Sequence, residues 1–222
     1  MCASYGLDPR MGEYKTFLSD HDRAVLDDLA KWAKQNSGKT IRPTGIKERK
    51  LLPHIPLSES APVMEQAWWG YLANDGRPVK FPSINTRSER VKEQPGLLAR
   101  RGIAPATTWF EMQKPSRDWY QFGTGEVFAI ATVTRPGKPE GGDPVNCYSL
   151  IMQPARSDLG HIHDRMPLLL PKAFINEWLD PSNEPSRELI EAALDAGREE
   201  TDRISAGLKS SATVAPPAER LF

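Results

Sequence analysis

The chain has 222 residues, 39% apolar and 26% charged, and its 29 basic and 29 acidic side chains balance to zero net charge. That composition fits one globular domain and excludes a protein that coats duplex nucleic acid by charge alone, which would be far more basic. Twenty prolines argue against a helical bundle, while the two cysteines, an N-terminus without a signal-peptide pattern and short apolar runs predict reduced thiols in the cytoplasm and no membrane contact.

Cys2 follows Met1 directly. If Met1 is trimmed, Cys2 carries an α-amine and a thiol on one skeleton. Such a 1,2-aminothiol condenses with an aldehyde to an imine and closes a thiazolidine ring. Neither group is locked in its inert form near neutrality, since the amine titrates at about 7.7–8.0 and the thiol at about 8.5.

Further along, Ser19-Asp20 opens a helix in which Val25, Leu26, Leu29, Trp32 and Ala33 recur at helical spacing until Gly38. Residues 40–44 and 62–71 read as strands separated by a loop rich in proline and charge. Residues 85–101 are polar and helix-compatible, with a break at Pro95-Gly96. Strands are predicted at 103–113, 118–122, 126–134 and 147–152, and 156–161 reads as a turn of helix. Residues 167–170 form a buried strand, followed by helices at 171–179 and 186–200. Residues 205–222 lack periodicity and read as a tail or packed arm. The fold class is therefore α+β: a mainly antiparallel sheet or open barrel flanked by helices, in a single domain spanning 1–204.

Several segments could carry chemistry. His161-Ile162-His163-Asp164-Arg165-Met166-Pro167 pairs a histidine with an aspartate; it suits acid–base work, or it caps a turn. His161-x-His163 could contribute two imidazoles to a metal, but Cys pairs at ligand spacing are absent and the other histidines, His21 and His54, form no motif, so no metal and no cofactor are expected. Glu111 lies in the apolar run Trp109-Phe110-Glu111-Met112. Partial burial would raise its pKa; simple alternation would leave it facing water. Asn85 could cap the following helix, and Arg87 and Arg90 could meet phosphate. Trp68 and Trp69 are adjacent on a strand, so one points inward and the other outward as a stacking platform for an unpaired base.

In order along the chain, Met1-Cys2, Trp69-Gly70, Ile84-Asn85-Thr86-Arg87-Ser88-Glu89, Trp109-Phe110-Glu111, His163-Asp164-Arg165-Met166-Pro167 and Glu177-Trp178-Leu179 resemble the SOS response-associated peptidase family of abasic-site processing proteins. The resemblance covers roughly residues 2–180, most of one domain. It implies a DNA-damage protein that crosslinks itself to abasic sites in single-stranded DNA, with Cys2 forming a thiazolidine with the ring-opened deoxyribose. Asn85 would position the sugar, Glu111 would act as acid and base, and His163 would shuttle a proton. Arg87, Trp68, Trp69 and Arg165 would contact DNA. The family name also implies autoproteolytic removal of the residue before Cys2, and lyase chemistry is open to the same cluster. A monomer, associated with the nucleoid during DNA damage, is expected. The chain departs from the family at Ala3-Ser4, where Gly-Arg is usual, at Met112, where Trp is usual, and in the loop after Gly70. Two other readings are an N-terminal-nucleophile cysteine hydrolase acting on peptide or amide bonds, and a non-catalytic module for single-stranded DNA.

Overall fold

The computed structural model describes residues 4–7, 18, 23–36, 51–79 and 83–210. Cys2, the helix start at Ser19-Asp20, the helix end at Gly38, the strand predicted at 40–44 and the tail beyond 210 lie outside the described residues. In chain order the strands are β1 (Ser4–Gly6), β2 (Leu52–Pro56), β3 (Glu65–Trp69), β4 (Asn85–Arg87), β5 (Arg101–Ala106), β6 (Thr108–Met112), β7 (Trp119–Phe122), β8 (Phe128–Gly137), β9 (Val145–Pro154), β10 (Arg165–Pro167), β11 (Leu169–Leu170) and β12 (Lys209–Ser210). The helices are α1 (Arg23–Gln35), α2 (Ser88–Glu93), α3 (Lys172–Trp178) and α4 (Arg187–Ser205), with a 3₁₀ turn at Pro95–Arg100.

Five strands close a barrel in the order β9-β3-β2-β5-β8, with β8 returning to β9. Closure leaves the barrel strands without open edges. The alternation expected of a half-buried strand fails in β9, whose residues 147–153 are all buried, because it is covered on both faces. Along one edge β9 pairs in parallel first with β3 and then with β4; every other strand pairing among the described residues is antiparallel. A second sheet, β1-β6-β7-β12, leans on the barrel. The mainly antiparallel α+β architecture flanked by helices is as expected. Among the described residues no helix is long and apolar enough to cross a membrane.

The run 103–113 reads as one strand but folds as two, β5 in the barrel and β6 in the second sheet. The break is Thr107, whose N–H donates to the carbonyl of Gly6 at 2.7 Å. The proline-rich stretch before residue 62, expected to be a loop, contains β2. Its Pro53 and Pro56 obscure the strand, yet Leu52, Pro53 and His54 register with β3, and Ile55 and Pro56 with β5. Residues 85–93 divide into β4 and α2 rather than one helix. Arg87 occupies the N-cap of α2 without a side-chain cap bond, so the capping role considered for Asn85 does not hold. The predicted C-terminal helices are present; α4 is capped by Ser186, whose hydroxyl accepts from the Leu189 N–H at 3.1 Å.

Two buried polar devices hold the barrel. His54, fully buried on β2, donates from Nδ1 to Glu65 Oε1 at 2.9 Å and meets Thr132 Oγ1 through Nε2 at 2.8 Å. Glu65 also accepts both bonds from Asn146 Nδ2, at 3.1 and 2.8 Å. Arg101, 1% exposed, donates to the carbonyls of Leu98, Trp178, Asp180 and Asn183, tying β5 to the end of α3. Such groups are tolerated inside only because each is hydrogen-bonded.

Candidate active site

Glu111 belongs to β6, the strand between β1 and β7, where it registers with Tyr120 while its neighbour Phe110 registers with Ser4. It is 3% exposed, so the buried alternative holds over the water-facing one. Burial, assisted by the negative charge of Asp164, pushes its carboxyl up to about 7. A carboxyl at that value exchanges a proton at physiological pH, as a general acid or base must.

His163 precedes β10, and its side chain is 20% exposed. Its Nδ1 lies 3.0 Å from the N–H of Arg165 and 2.8 Å from Asp164 Oδ1. One nitrogen cannot serve both at once. Unprotonated, Nδ1 accepts from Arg165; protonated, it donates to Asp164. Burial, with the positive charge of Lys114, pulls the pKa of His163 below its ordinary value against the opposing charge of Asp164. The shift favours the neutral ring, in which one nitrogen donates and the other accepts. Asp164 acts electrostatically on both Glu111 and His163, which places the two groups in one field. The loop before His163 is fastened to the β6–β7 connection by Gln113 Nε2, which donates to the carbonyl of His161 at 2.8 Å.

Asn85 is half-buried on β4, opposite Leu150 of β9. Both of its neighbours are fixed. The carbonyl of Ile84 accepts from Trp69 Nε1 and from the Leu150 N–H, each at 2.9 Å. Thr86 Oγ1 and Ser149 Oγ are 2.8 Å apart and buried. Arg87 then emerges, exposed, opposite Met152, which on its other edge faces Pro167 of β10. The Asn85 and His163 segments thus flank the end of β9. They are joined across it by Arg165, whose Nη1 donates to both oxygens of Glu89 at 2.7 and 2.8 Å.

Two of the residues expected at the DNA have partners within the protein. Trp69 is 2% exposed, hydrogen-bonded to Ile84 and stacked on Tyr148 at 6.3 Å; it is a core residue with no face to offer a base. The outward position on β3 belongs to Trp68, which is half-buried. Arg165 is 17% exposed and engaged by Glu89, so its guanidinium is committed within the protein. Burial works to raise the pKa of Glu89, but the bond from Arg165 and the charges of Arg165 and Arg87 hold it below the ordinary range. Arg87 keeps its exposure. Cys2 lies outside the described residues, although Ser4 and Tyr5, just after it, are fully buried, and the Tyr5 hydroxyl is 2.7 Å from that of Tyr148.

Sequence reasoning did not find Asp164 as the group shared by Glu111 and His163, nor Ile84, Thr86 and Ser149 as the frame around Asn85. The only signal was adjacency in sequence for Asp164, Ile84 and Thr86; Ser149 had none. Among the described residues, no three His, Cys, Asp or Glu side chains are grouped to hold a metal ion.

The family described as SOS response associated peptidase (SRAP) matches residues 1–207. Among curated proteins, the abasic site processing protein YoqW of Bacillus subtilis is 28% identical over 129 residues, 52% of this chain and 56% of that protein. The abasic site processing protein HMCES of Gallus gallus is 40% identical over 53 residues, 23% of this chain and 16% of that one. The match thus spans about half the length of the Bacillus relative. Two solved structures from Bordetella bronchiseptica, one titled a phage-related protein, share the fold at TM-scores of 0.57 and 0.58, with 15% and 17% identity. They cover 95% and 94% of this chain, which spans 98% and 92% of them.

Proposed function

The chain belongs to the SOS response-associated peptidase family, and from that premise we propose that it captures abasic sites in single-stranded DNA by covalent attachment through Cys2. The observation that carries the reading is Glu111: a carboxyl 3% exposed and raised to about 7, in the same field as a histidine lowered from its ordinary value. Pairs of titratable groups displaced in this way mark acid–base sites more often than structural ones. Only Ala3 separates Cys2 from Ser4, and covalent geometry keeps the two within about 8 Å of each other. Ser4 registers with Phe110, the residue before Glu111, which supports a role for the carboxyl beside the N-terminal segment.

In the proposed reaction Met1 is removed first, by a trimming aminopeptidase or by hydrolysis at the same cluster. The ring-opened deoxyribose presents an aldehyde. The Cys2 amine adds to its carbon, giving a carbinolamine. Glu111 in its acid form protonates the hydroxyl, which leaves as water, and an imine results. The Cys2 thiolate adds to the imine carbon while the nitrogen takes up a proton. One C–N and one C–S bond form, the carbonyl oxygen departs as water, and no oxidation state changes. His163, in the neutral tautomer whose Nδ1–H donates to Asp164, takes on Nε2 the proton released by the attacking amine. Asn85 hydrogen-bonds the sugar, and Arg87 meets the adjoining phosphate. The imine stage also leaves room for β-elimination, the lyase activity expected of the cluster.

The test uses a single-stranded oligonucleotide carrying one abasic site. A protein–DNA band that survives boiling and detergent, and is absent with Cys2→Ala, is expected once intact mass has confirmed loss of Met1. No band from processed protein would overturn the reading. Peptide turnover without adducts would favour a cysteine hydrolase instead.

A further inference from the structure

The barrel face next to Asn85 carries three arginines, Arg87, Arg90 and Arg135, all exposed. Among the described residues none of them lies within ion-pair distance of a carboxylate. Arg77, Arg156, Arg165, Arg187, Arg198 and Arg203 each do. The chain as a whole is neutral, so this concentration of uncompensated cations is local.

Arg87 and Arg90 are neighbours in the chain, and Arg90 and Arg135 both act on Tyr71. Arg87 ends β4, and Arg90 follows one turn later in α2. Arg135, on β8, lies over the ring of Tyr71 at 4.2 Å from its centroid and donates from Nη2 to the carbonyl of Leu72 at 2.8 Å. Tyr71 links the set. Burial raises its pKa, opposed by a side-chain bond with Thr86, the charge of Arg135, a bond with Ser149 and the charge of Arg90. The phenol therefore sits against the frame that holds Asn85, within the influence of both Arg135 and Arg90. The stacking contact and the Leu72 carbonyl fix the guanidinium of Arg135 in advance, so little side-chain freedom remains to be lost when an anion arrives. Glu89, the nearest acid in sequence to Arg87 and Arg90, is occupied by Arg165.

We propose that Arg90 and Arg135 extend Arg87 into a track for the backbone phosphates of single-stranded DNA, holding one arm of the strand beside the lesion. This rests on the proposed capture of abasic DNA for its biological meaning, but its chemistry is separate: phosphodiester contact needs neither Cys2 nor an aldehyde. It also offers a basic surface in a chain whose Ser4 stands where a basic residue is usual.

The test is binding of a lesion-free, fluorescently labelled oligothymidylate at several salt concentrations. Each phosphate contact to a single strand contributes about 0.7 to the slope of log K against log salt. The double variant Arg90→Gln/Arg135→Gln is expected to flatten the slope by about 1.4. Arg90→Glu, on an exposed helical surface, is expected to weaken binding more than Arg90→Gln at low salt, with the thermal midpoint as a check on folding. Equal slopes for wild type and the double variant overturn the track, as does a wild-type protein with no salt-dependent binding. Adduct formation on abasic DNA is scored separately. An absent adduct with the slope difference intact overturns the Cys2 reading and leaves the track standing.

Discussion

The indole Nε1 of Trp69 donates to the carbonyl of Ile84 at 2.9 Å, so the residue just before Asn85 is gripped from inside the barrel. The adjacent tryptophans thus divide: one anchors the site and the other faces outward. Trp69→Phe keeps a ring against Tyr148 but removes the donor and part of the buried indole, which adds a cavity cost to the loss of the bond. Loss of one buried hydrogen bond of this kind costs about 1 kcal/mol of stability. Because misplacement of a positioning group slows reaction steeply, adduct formation should fall by about tenfold, while affinity for lesion-free strand is unchanged. A variant that loses stability yet reacts at the wild-type rate would show that the grip does not serve Asn85.

Glu111 predicts an unusual dependence of stability on pH. Its carboxyl is raised to about 7 in the folded protein from an ordinary 4.5. Between those values the native state binds more protons than the unfolded state. Stability from this group is therefore greatest below the unfolded value and is lost as pH rises through the folded one, by about 3 kcal/mol in all. Glu111→Gln should gain stability relative to wild type as pH rises from 5 to 8. Urea melts at a series of pH values check this. Parallel curves would mean that the carboxyl is not raised.

The same group sets a limit on activity. If Glu111 must donate a proton, adduct formation should decline as pH rises through about 7. In Glu111→Gln that declining limb should disappear and the remaining rate should be lower by about 10²–10⁴, the usual worth of general acid catalysis. Single-turnover gels across pH measure both. A decline that persists in the variant would assign it to another group.

Gly102 faces the buried imidazole of His54. A Cβ at that position would stand 2.6 Å from Cε1, 2.7 Å from Nε2 and 2.7 Å from the carbonyl of Ile55. His54 is held by Glu65 and Thr132 and has no room to withdraw. Gly102→Ala should destabilise by about 1–3 kcal/mol, read as a lowered urea midpoint at constant slope. A neutral outcome would mean that the ring is more loosely held than its two bonds suggest.

Arg101 buries a guanidinium whose acceptors are four carbonyl oxygens. Arg101→Met fills similar volume but leaves buried carbonyl acceptors unpaired, at a cost of about 1–3 kcal/mol for such a group. The C-terminal side of α3 should become the first region to exchange its amide hydrogens.

The sequence exposed some of this arrangement and hid the rest, for physical reasons. The helix at 23–35 and the strands β7, β8 and β9 follow from periodicity and breakers, which act locally. The division of 103–113 at Thr107 does not, because the bond to Gly6 joins residues a hundred positions apart. Strand β2 was hidden because its prolines carry the signature of a loop. At the site, Glu111 and His163 drew notice as polar groups in apolar company, but alternation could not decide whether Glu111 was buried; its place on β6 between β1 and β7 does. Which tryptophan faces inward depends on the registry of β3 with β9, and the engagement of Arg165 depends on Glu89, reached through space. Neither can be read from spacing.

The parallel pairing of β3 and β4 along one edge of β9 has a consequence for how such a chain can vary. Trp69 registers with Tyr148 and Asn85 with Leu150, so the two strands behave as one strand interrupted by a loop that leaves at Gly70 and returns at Ile84. The loop leaves and rejoins β9 at almost the same place. Its length can therefore drift without moving either end, whereas a single-residue insertion within residues 148–150 of β9 would throw both out of phase. Residues 73–75, exposed in the tip of that loop, are accordingly where a foreign module could be spliced in while Asn85 stays where β9 puts it.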